Sequence, residues 1–152
     1  MKLSQALHDD HQRLDELYEE LLNRIHVNDA EAADRAWSAF ERGLLDHIDA
    51  EEKWMLPLFE RLDPAEAAAI RGEHAEILGL LADLGLGLEL HVVRERAIEE
   101  LIASLRAHAA REEASLYRWA DAELPAEPRA SVLERLRAGL ASTVALFRER
   151  AA

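Results

Sequence analysis

The sequence contains no cysteine, which excludes disulfides, zinc–thiolate sites, iron–sulfur clusters and thiol catalysis. Any metal ion that the chain binds must therefore be held by nitrogen and oxygen atoms. Aromatic residues make up only 5% of the chain, and there are only 4 prolines and 6 glycines. Because alanine, leucine, glutamate and arginine are abundant instead, the composition predicts an all-α protein.

Positive charge and long apolar runs are also scarce. The chain has 18 lysines and arginines and 31 acidic residues, so its formal net charge is -13. This negative charge disfavours binding to a phosphate backbone. No apolar run approaches the roughly 18 residues of a membrane span, and the segment MKLSQALHDDHQ lacks the apolar stretch of a signal peptide. We expect a cytoplasmic monomer or homodimer that has neither nucleic acid nor membrane as a partner.

Apolar residues recur at alternating steps of three and four, the pattern of helices that bury one stripe. The pattern predicts an antiparallel up-and-down four-helix bundle over about residues 4–124, with an additional C-terminal helix over about residues 128–149. The turn between the third and fourth helices is expected between Gly85 and His91. All 152 residues are expected to form a single domain, in which the last helix caps the bundle instead of forming a dimer interface.

Local signals predict where the helices begin and bend. Ser4 is predicted to cap the first helix and Asp29 the second. Pro57 should bend the second helix, because its ring clashes with the carbonyl one turn earlier and it has no N–H to donate. In the segment DPAE, Asp63 is predicted to cap the third helix and Glu66 to complete a capping box.

A sequence repeat relates the two halves of the predicted bundle. The segment HIDAEEKWML, which begins at His47, matches HAAREEASLY, which begins at His108, and both read H-x-x-x-E-E. His11 and His74 occupy corresponding places on the helices that precede the two copies. The chain is therefore predicted to consist of two helical hairpins, each of which contributes half of one site.

Polar residues occupy or border the apolar stripes at places where such helices otherwise carry leucine or isoleucine. An unpaired buried carboxylate costs several kcal/mol, so two glutamates in one core require a cation. In each H-x-x-x-E-E segment the histidine and the first glutamate are four residues apart, which puts both on one helix face. The histidines of all four helices also lie at matched depths along the bundle. The predicted metal ligands are His11, His47, Glu51, His74, His108 and Glu112.

Several neighbouring residues have more than one interpretation. His8 lies about one turn before His11 and is an alternative ligand from the first helix, or a hydrogen-bonding partner of the ligands. Glu52 and Glu113 follow the ligand glutamates by about 100° around the helix, and we interpret them as surface residues. A tyrosine near the metal would be a hint of redox chemistry, but for Tyr117 an ordinary packing role is an equally good interpretation.

The ligand types restrict the metal. Imidazole and carboxylate suit iron, manganese, zinc or copper. Four histidines and two glutamates exceed what one ion needs, and they suit two ions about 3.5–4 Å apart with both carboxylates bridging. Ferritin-like bundles instead combine Glu-x-x-His pairs with single glutamates, so the pattern points to a different class of two-metal bundle.

At these positions the chain resembles the hemerythrin-like, or HHE cation-binding, family over about residues 5–122. The matching segments include DHIDAEEKWMLP, GEHAEIL and HAAREE. The resemblance implies a non-heme di-iron centre in which Glu51 and Glu112 bridge two iron ions and the four histidines are terminal ligands. Zinc or manganese are the alternative metals.

One departure from the oxygen-carrying hemerythrins affects the predicted function. Those proteins have a second histidine one turn beyond the third-helix ligand, where this chain has Leu78, and their fourth-helix carboxylate is an aspartate one residue further on. The full ligand set of an oxygen carrier is therefore absent. A more symmetric site, open on both metals, is the better expectation.

Three functions are compatible with such a site. The first is a di-iron protein that binds or senses O2, NO or the redox or iron state of its surroundings. The second is a di-iron oxidase or a peroxide-consuming enzyme, and the third is a structural metal-binding bundle. We favour the first because the sequence shows no signature of a substrate pocket, which leaves O2, NO or peroxide as the expected partners.

Overall fold

The computed structural model describes residues 1–89, 92 and 95–151. These residues form helices and no strands, which confirms the predicted all-α class. The helices are α1 (Leu3–His26), α2 (Ala30–Trp54), α3 (Leu56–Phe59), α4 (Pro64–Glu89), α5 (Glu95–Ala114), α6 (Leu116–Glu123) and α7 (Ala126–Ala151). Since α3 continues α2 and α6 continues α5, the chain forms four helical rods followed by α7.

The four rods form the predicted antiparallel bundle. α1 packs against α2, α5 and α6, while α4 packs against α2, α3 and α5. One apolar cluster includes Leu7, Leu56 and Leu116, and a second includes Leu17 and Leu101. The predicted metal ligands lie between these two clusters along each rod, so apolar packing encloses them from both ends of the bundle.

Two of the predicted helix caps are confirmed. Asp29 precedes α2, and its carboxylate accepts a hydrogen bond from the N–H of Ala32 at 3.2 Å. Asp63 precedes α4 and accepts from the N–H of Glu66 at 3.0 Å. Each cap satisfies a backbone donor that has no partner within its helix.

The other two cap predictions are wrong. α1 begins at Leu3 after Lys2, without a side-chain cap, because the N–H and hydroxyl of Ser4 both donate to Asp121 of α6, at 2.9 and 2.5 Å. Glu66 does not complete a capping box, since its carboxylate accepts two hydrogen bonds from Arg111 of α5, at 2.9 and 3.0 Å. In both cases a contact between helices replaces the predicted local one.

Both rods that carry a histidine and a glutamate are interrupted just beyond the glutamate. The first break falls at Met55, immediately before the turn that contains Pro57, the residue that was predicted to disturb this helix. The second falls at Ser115, where no proline signals it. The hydroxyl of Ser115 lies 3.0 Å from the carbonyl oxygen of Arg111 and 3.1 Å from the carboxylate of Glu66, so side-chain contacts accompany this break.

α4 ends at Glu89, within the predicted interval. His91, at the limit of that interval, lies outside the described residues. No helix in the described part of the chain combines the length and the apolar character needed to cross a membrane.

α7 packs along α1 and α2, as expected of a helix that caps the bundle, and it is longer at both ends than predicted. Val132 and Leu136 of α7 are buried, whereas Leu140 further along is exposed. Beyond Leu140, the side chain of Thr143 is only 6% exposed. The C-terminal half of α7 therefore presents a polar group to the bundle.

Candidate metal centre

The six predicted ligands come together in the middle of the bundle. α1 supplies one histidine, α4 another, and α2 and α5 each supply a histidine and a glutamate. Glu51 and Glu112 are fully buried, and three of the histidines are at most 5% exposed. The side chain of His11 is the most accessible, with 14% of its surface exposed.

These residues form two overlapping groups, in each of which the donor atoms lie within 4.8 Å of one another. The first half-site consists of His11, His47, Glu51 and Glu112. The second half-site consists of Glu51, His74, His108 and Glu112. The two glutamates belong to both groups, and each group adds one pair of adjacent imidazole rings, with centroids 4.6 and 4.7 Å apart. This is the sharing expected of carboxylates that bridge two ions.

Glu51 reaches both half-sites with separate oxygen atoms. Its Oε1 lies 3.1 Å from Nε2 of His47, and its Oε2 lies 3.2 Å from Nε2 of His74. Each carboxylate oxygen of Glu51 therefore faces a different histidine pair.

Glu112, on α5, also contacts histidines of both half-sites, but a single one of its oxygen atoms does so. Its Oε1 lies 2.9 Å from Nε2 of His108 and 3.5 Å from Nε2 of His11. Its Oε2 lies 3.6 Å from Nε2 of His74. All four histidines thus turn Nε2 towards the two glutamates.

Several of the atoms that face this centre have no hydrogen-bond partner among the described residues. They are Oε2 of Glu51, both carboxylate oxygens of Glu112, and Nε2 of His74 and His108. Buried polar atoms are nearly always paired, and imidazole nitrogen with carboxylate oxygen is a donor set for transition-metal ions. The unpartnered atoms and the donor chemistry therefore fit a bound metal.

Carboxylates hold the outer nitrogen of the three buried histidines. The distance from Nδ1 to the nearest carboxylate oxygen is 2.7 Å for His47 with Asp10, 2.7 Å for His74 with Glu52, and 2.9 Å for His108 with Glu73. A carboxylate in this position fixes the ring orientation and leaves Nε2 free to bind a metal. These carboxylates were not among the predicted functional residues.

The prediction of Glu52 and Glu113 as plain surface residues is incomplete. Both are partly exposed, but Glu52 contacts His74, and Oε1 of Glu113 lies 2.6 Å from Nδ1 of His8 and 3.7 Å from Nδ1 of His11. The signal was present in the sequence, because both repeat copies read H-x-x-x-E-E. The first glutamate of each copy faces the centre, and the second contacts a histidine of the opposite hairpin.

The structure also distinguishes His8 from His11. His8 is 41% exposed in its side chain and contacts Glu113, and it belongs to neither half-site. His11 lies in the first half-site with its Nε2 turned towards Glu112. Of the two alternatives, the structure places His11 among the donors and His8 outside them.

A buried chain of contacts connects His47 to α7. The carboxylate of Asp10 contacts His47 through Oδ2, and its Oδ1 accepts from Nε of Arg13 at 2.8 Å. Nη1 of Arg13 donates to the hydroxyl of Thr143 at 2.6 Å. Burial raises the pKa of Asp10, but the hydrogen bond and charge of His47 and the charge of Arg13 outweigh this effect and lower it overall. The carboxylate is therefore an ionised acceptor for both neighbours.

Tyr117, for which packing and a role near the metal were both open, contacts the cluster. Its hydroxyl donates to Oε1 of Glu51 at 2.6 Å and lies 2.9 Å from Nε2 of His11 and 3.1 Å from Nε2 of His47. Burial, followed by the charges of the two glutamates, raises the pKa of Tyr117 well above its ordinary value. Its spacing from the H-x-x-x-E-E segment did not distinguish it from a core aromatic.

The electrostatics of the cluster favour charged imidazoles when no metal is bound. Burial lowers the pKa of His74, but the close approach and the negative charges of Glu112 and Glu51 raise it to about 10. Burial raises the pKa of Glu112, but the adjacent imidazoles of His108, His11 and His74 hold it well below its ordinary value. A proton on His74 therefore offsets buried negative charge in the absence of metal cations.

A cavity of about 540 Å³ lies beside the cluster, between α1, α2 and α5. His11, His47 and His108 line it together with apolar side chains such as Phe40 and Leu105. Its size falls within the range of small-molecule sites. This cavity could not be predicted from the sequence, because its apolar walls come from helices that are distant in sequence.

The fold and cluster define a class of protein, the antiparallel four-helix bundles that carry a histidine and carboxylate cation site in the core. Residues 2–120 match the family described as the hemerythrin HHE cation binding domain. The match spans most of the chain, so this protein belongs to the hemerythrin HHE cation-binding family. No curated protein and no solved structure matches the chain.

Proposed function

We propose that this protein binds two iron ions in the cluster and uses them to bind or sense O2, NO or the redox state of its surroundings. The sharing of Glu51 and Glu112 between two half-sites is the observation that carries the proposal. His11 and His47 complete the site for one ion, and the other histidine pair completes the site for the second. Each ion then has two imidazoles and two shared carboxylates from the protein.

This donor set suits reactive iron better than a purely structural ion. Two histidines with carboxylate ligands and open positions are typical of non-heme iron sites that react with oxygen. Bound iron would supply the electrons or the open position with which a small oxidising ligand reacts. The protein's own contribution is to hold the imidazoles through Asp10, Glu52 and Glu73.

The cavity supports a small-molecule ligand. Structural zinc sites are closed by their protein ligands, whereas three histidines of this cluster line a cavity. Leu14, Ile48 and Ile102 are among its apolar walls, and apolar surroundings limit the water that reaches the ions. A small, uncharged ligand such as O2 or NO suits such a route.

Metal content tests the first part of the proposal. Protein purified without chelators should contain about two iron ions per chain, as a two-metal site requires. Glu51→Gln and Glu112→Gln should each lose most of both ions, because each glutamate serves both half-sites. Glu76→Gln, which changes an exposed glutamate of α4, is the control and should keep full occupancy. A stable wild-type protein without metal, or equal losses in all three variants, would refute the assignment.

Ligand binding tests the second part. The visible absorption of the iron-loaded protein should change on addition of O2 or NO and return when the gas is removed. Steady consumption of hydrogen peroxide would instead assign the protein to the peroxide-consuming alternative. A preference for zinc, with no response to any of these ligands, would assign it to the structural alternative.

A further inference from the structure

We infer that Tyr117 is a seventh protein ligand and that it binds the ion of the first half-site. The inference rests on the proposed function, since it concerns how this chain would hold one of the two ions. The geometry around the phenolic oxygen carries it.

The phenolic oxygen of Tyr117 is spaced from its neighbours as ligands of one ion are spaced from each other. It lies 2.6 Å from Oε1 of Glu51, 2.9 Å from Nε2 of His11 and 3.1 Å from Nε2 of His47. Metal–ligand distances of about 2.0–2.2 Å place neighbouring donors of an octahedral ion about 3 Å apart. The four atoms are therefore arranged like donors around a common centre.

A bound ion would also take up two of the atoms that the hydroxyl of Tyr117 now contacts. Tyr117 is only 1% exposed, and its hydroxyl contacts are with the same three atoms that the first half-site offers to a metal. Once those atoms bind an ion, a hydroxyl outside the coordination sphere would lose both imidazole nitrogens as hydrogen-bond partners in a buried place, which is unfavourable. Binding the ion through the phenolic oxygen avoids this loss.

Ligation by Tyr117 requires a simple exchange of bonds. The O–H bond breaks, the proton passes to solvent, and the phenolate oxygen forms a bond to the metal. No electron is transferred in this step. The added negative charge would favour the ferric state of that ion, because a phenolate is a charged oxygen donor.

The sequence repeat shows that the second half-site has no counterpart of Tyr117. At the interval that relates His47 to His108, Tyr117 corresponds to Leu56, which is fully buried and has no donor atom. The two half-sites have matching histidines and share both glutamates, but they differ at this position. We therefore expect two inequivalent iron ions.

The chain offers a matched control, because it contains only 2 tyrosines. Tyr18 is equally buried, but its hydroxyl donates to the carbonyl oxygen of Ile98 and its ring packs on Phe40 in the second apolar cluster. In a Tyr18→Phe protein, any signal from a tyrosine must come from Tyr117.

The experiment compares wild-type protein, Tyr117→Phe and Tyr18→Phe. Each is loaded with ferrous iron under anaerobic conditions, oxidised to the ferric state, assayed for iron content and examined by resonance Raman spectroscopy in the visible range. Wild-type protein and Tyr18→Phe should show tyrosine ring vibrations coupled to an iron–phenolate absorption band. Tyr117→Phe should lack them, and should bind one of its two ions at least ten-fold more weakly.

The outcomes separate this inference from the proposed function. Wild-type protein that holds two irons without tyrosinate vibrations would overturn the ligand role of Tyr117 and leave the proposed function intact. The same holds if Tyr117→Phe keeps these vibrations. Wild-type protein that binds no iron would overturn both. If Tyr117→Phe fails to fold, the Tyr18→Phe spectrum alone decides, since Tyr117 is then the only tyrosine present.

Discussion

The imidazole of His74 is held between two consecutive glutamates of α2. Its Nε2 lies 3.2 Å from Oε2 of Glu51, and its Nδ1 lies 2.7 Å from Oε1 of Glu52. Glu51 faces the proposed metal centre, and Glu52 holds the outer face of the same ring. One turn of α2 therefore fixes the position of a histidine that belongs to the opposite hairpin.

Replacing Glu52 should weaken metal binding without abolishing it. Glu52→Ala removes the acceptor for Nδ1 of His74, and the loss of such a partner lowers metal affinity about 10–100-fold. Competition with a chelator of known affinity measures the change. Glu60→Ala is the matched control, because Arg71 contacts both glutamates, at 3.4 Å for Glu52 and 3.2 Å for Glu60. Equal affinities of the two variants would contradict the role of Glu52.

Replacing Asp10 should lower both stability and metal affinity. Asp10→Asn leaves the guanidinium of Arg13, which is 9% exposed, without its charged partner, and breaking a buried ion pair costs about 3–5 kcal/mol. His47 also loses the carboxylate that orients it. Urea denaturation of the metal-free protein and chelator competition measure the two effects. Asp9→Asn, at an exposed position of the same helix turn, should change neither, and a similar loss there would count against the buried network.

Two glycines should respond to alanine in opposite directions. A Cβ at Gly139 would lie 3.1 Å from Nη2 of Arg13, so Gly139→Ala requires a small shift of a guanidinium that its hydrogen bonds to Asp10 and Thr143 hold in place. Overpacking of this kind typically costs about 1–3 kcal/mol. A Cβ at Gly79 of α4 would meet nothing within 4 Å, so Gly79→Ala should stabilise the protein by about 0.5–1 kcal/mol. Urea denaturation decides both, and stabilisation by Gly139→Ala would show that α7 is not tightly packed there.

Metal uptake should release protons at neutral pH. The glutamates raise the pKa of His74 to about 10, so the metal-free histidine is protonated at pH 7, whereas a metal ligand must be neutral. Metal affinity should therefore fall as the pH is lowered. A pH-stat records the protons released on addition of ferrous iron, and uptake without proton release would contradict this picture.

The same pKa shift predicts how the metal-free protein responds to pH. A group whose pKa is raised on folding stabilises the folded state fully below its unfolded value, here 6.5, and loses that contribution as the pH rises through its folded value of about 10. The contribution of His74 to the free energy of unfolding should therefore decrease between these pH values. Urea denaturation at a series of pH values, with His74→Phe for comparison, isolates it.

The periodicity of the sequence predicted those parts of the structure that depend on one helix at a time. The stripes that contain His11 and His74 predicted the helices and their inward faces, and the missing N–H of Pro57 indicated a disturbance where the helix is interrupted. The spacing of each H-x-x-x-E-E segment placed its histidine and first glutamate on one face. Their use as metal ligands stays a prediction until metal is measured.

Contacts between distant helices were beyond the reach of periodicity. Glu52 is one position off the stripe of its own helix, yet it meets His74 because α2 and α4 are neighbours. Thr143 is a polar residue in the apolar stripe of α7, and its role is evident only from its hydrogen bond with Arg13 of α1. Serine does not interrupt a helix in the way that proline does, so the helix break at Ser115 was not predicted either.

Because Glu51 and Glu112 each serve both half-sites, bound metal would also affect how firmly the two hairpins are held together. His11 and His47 come from the first hairpin but share Glu112 from the second, so each proposed ion would cross-link the two hairpins. α7 packs along α1 and α2 and so adds its support to the first hairpin. Loss of metal should therefore loosen the second hairpin more than the first, and amide hydrogen exchange should accelerate first in α4 and α5.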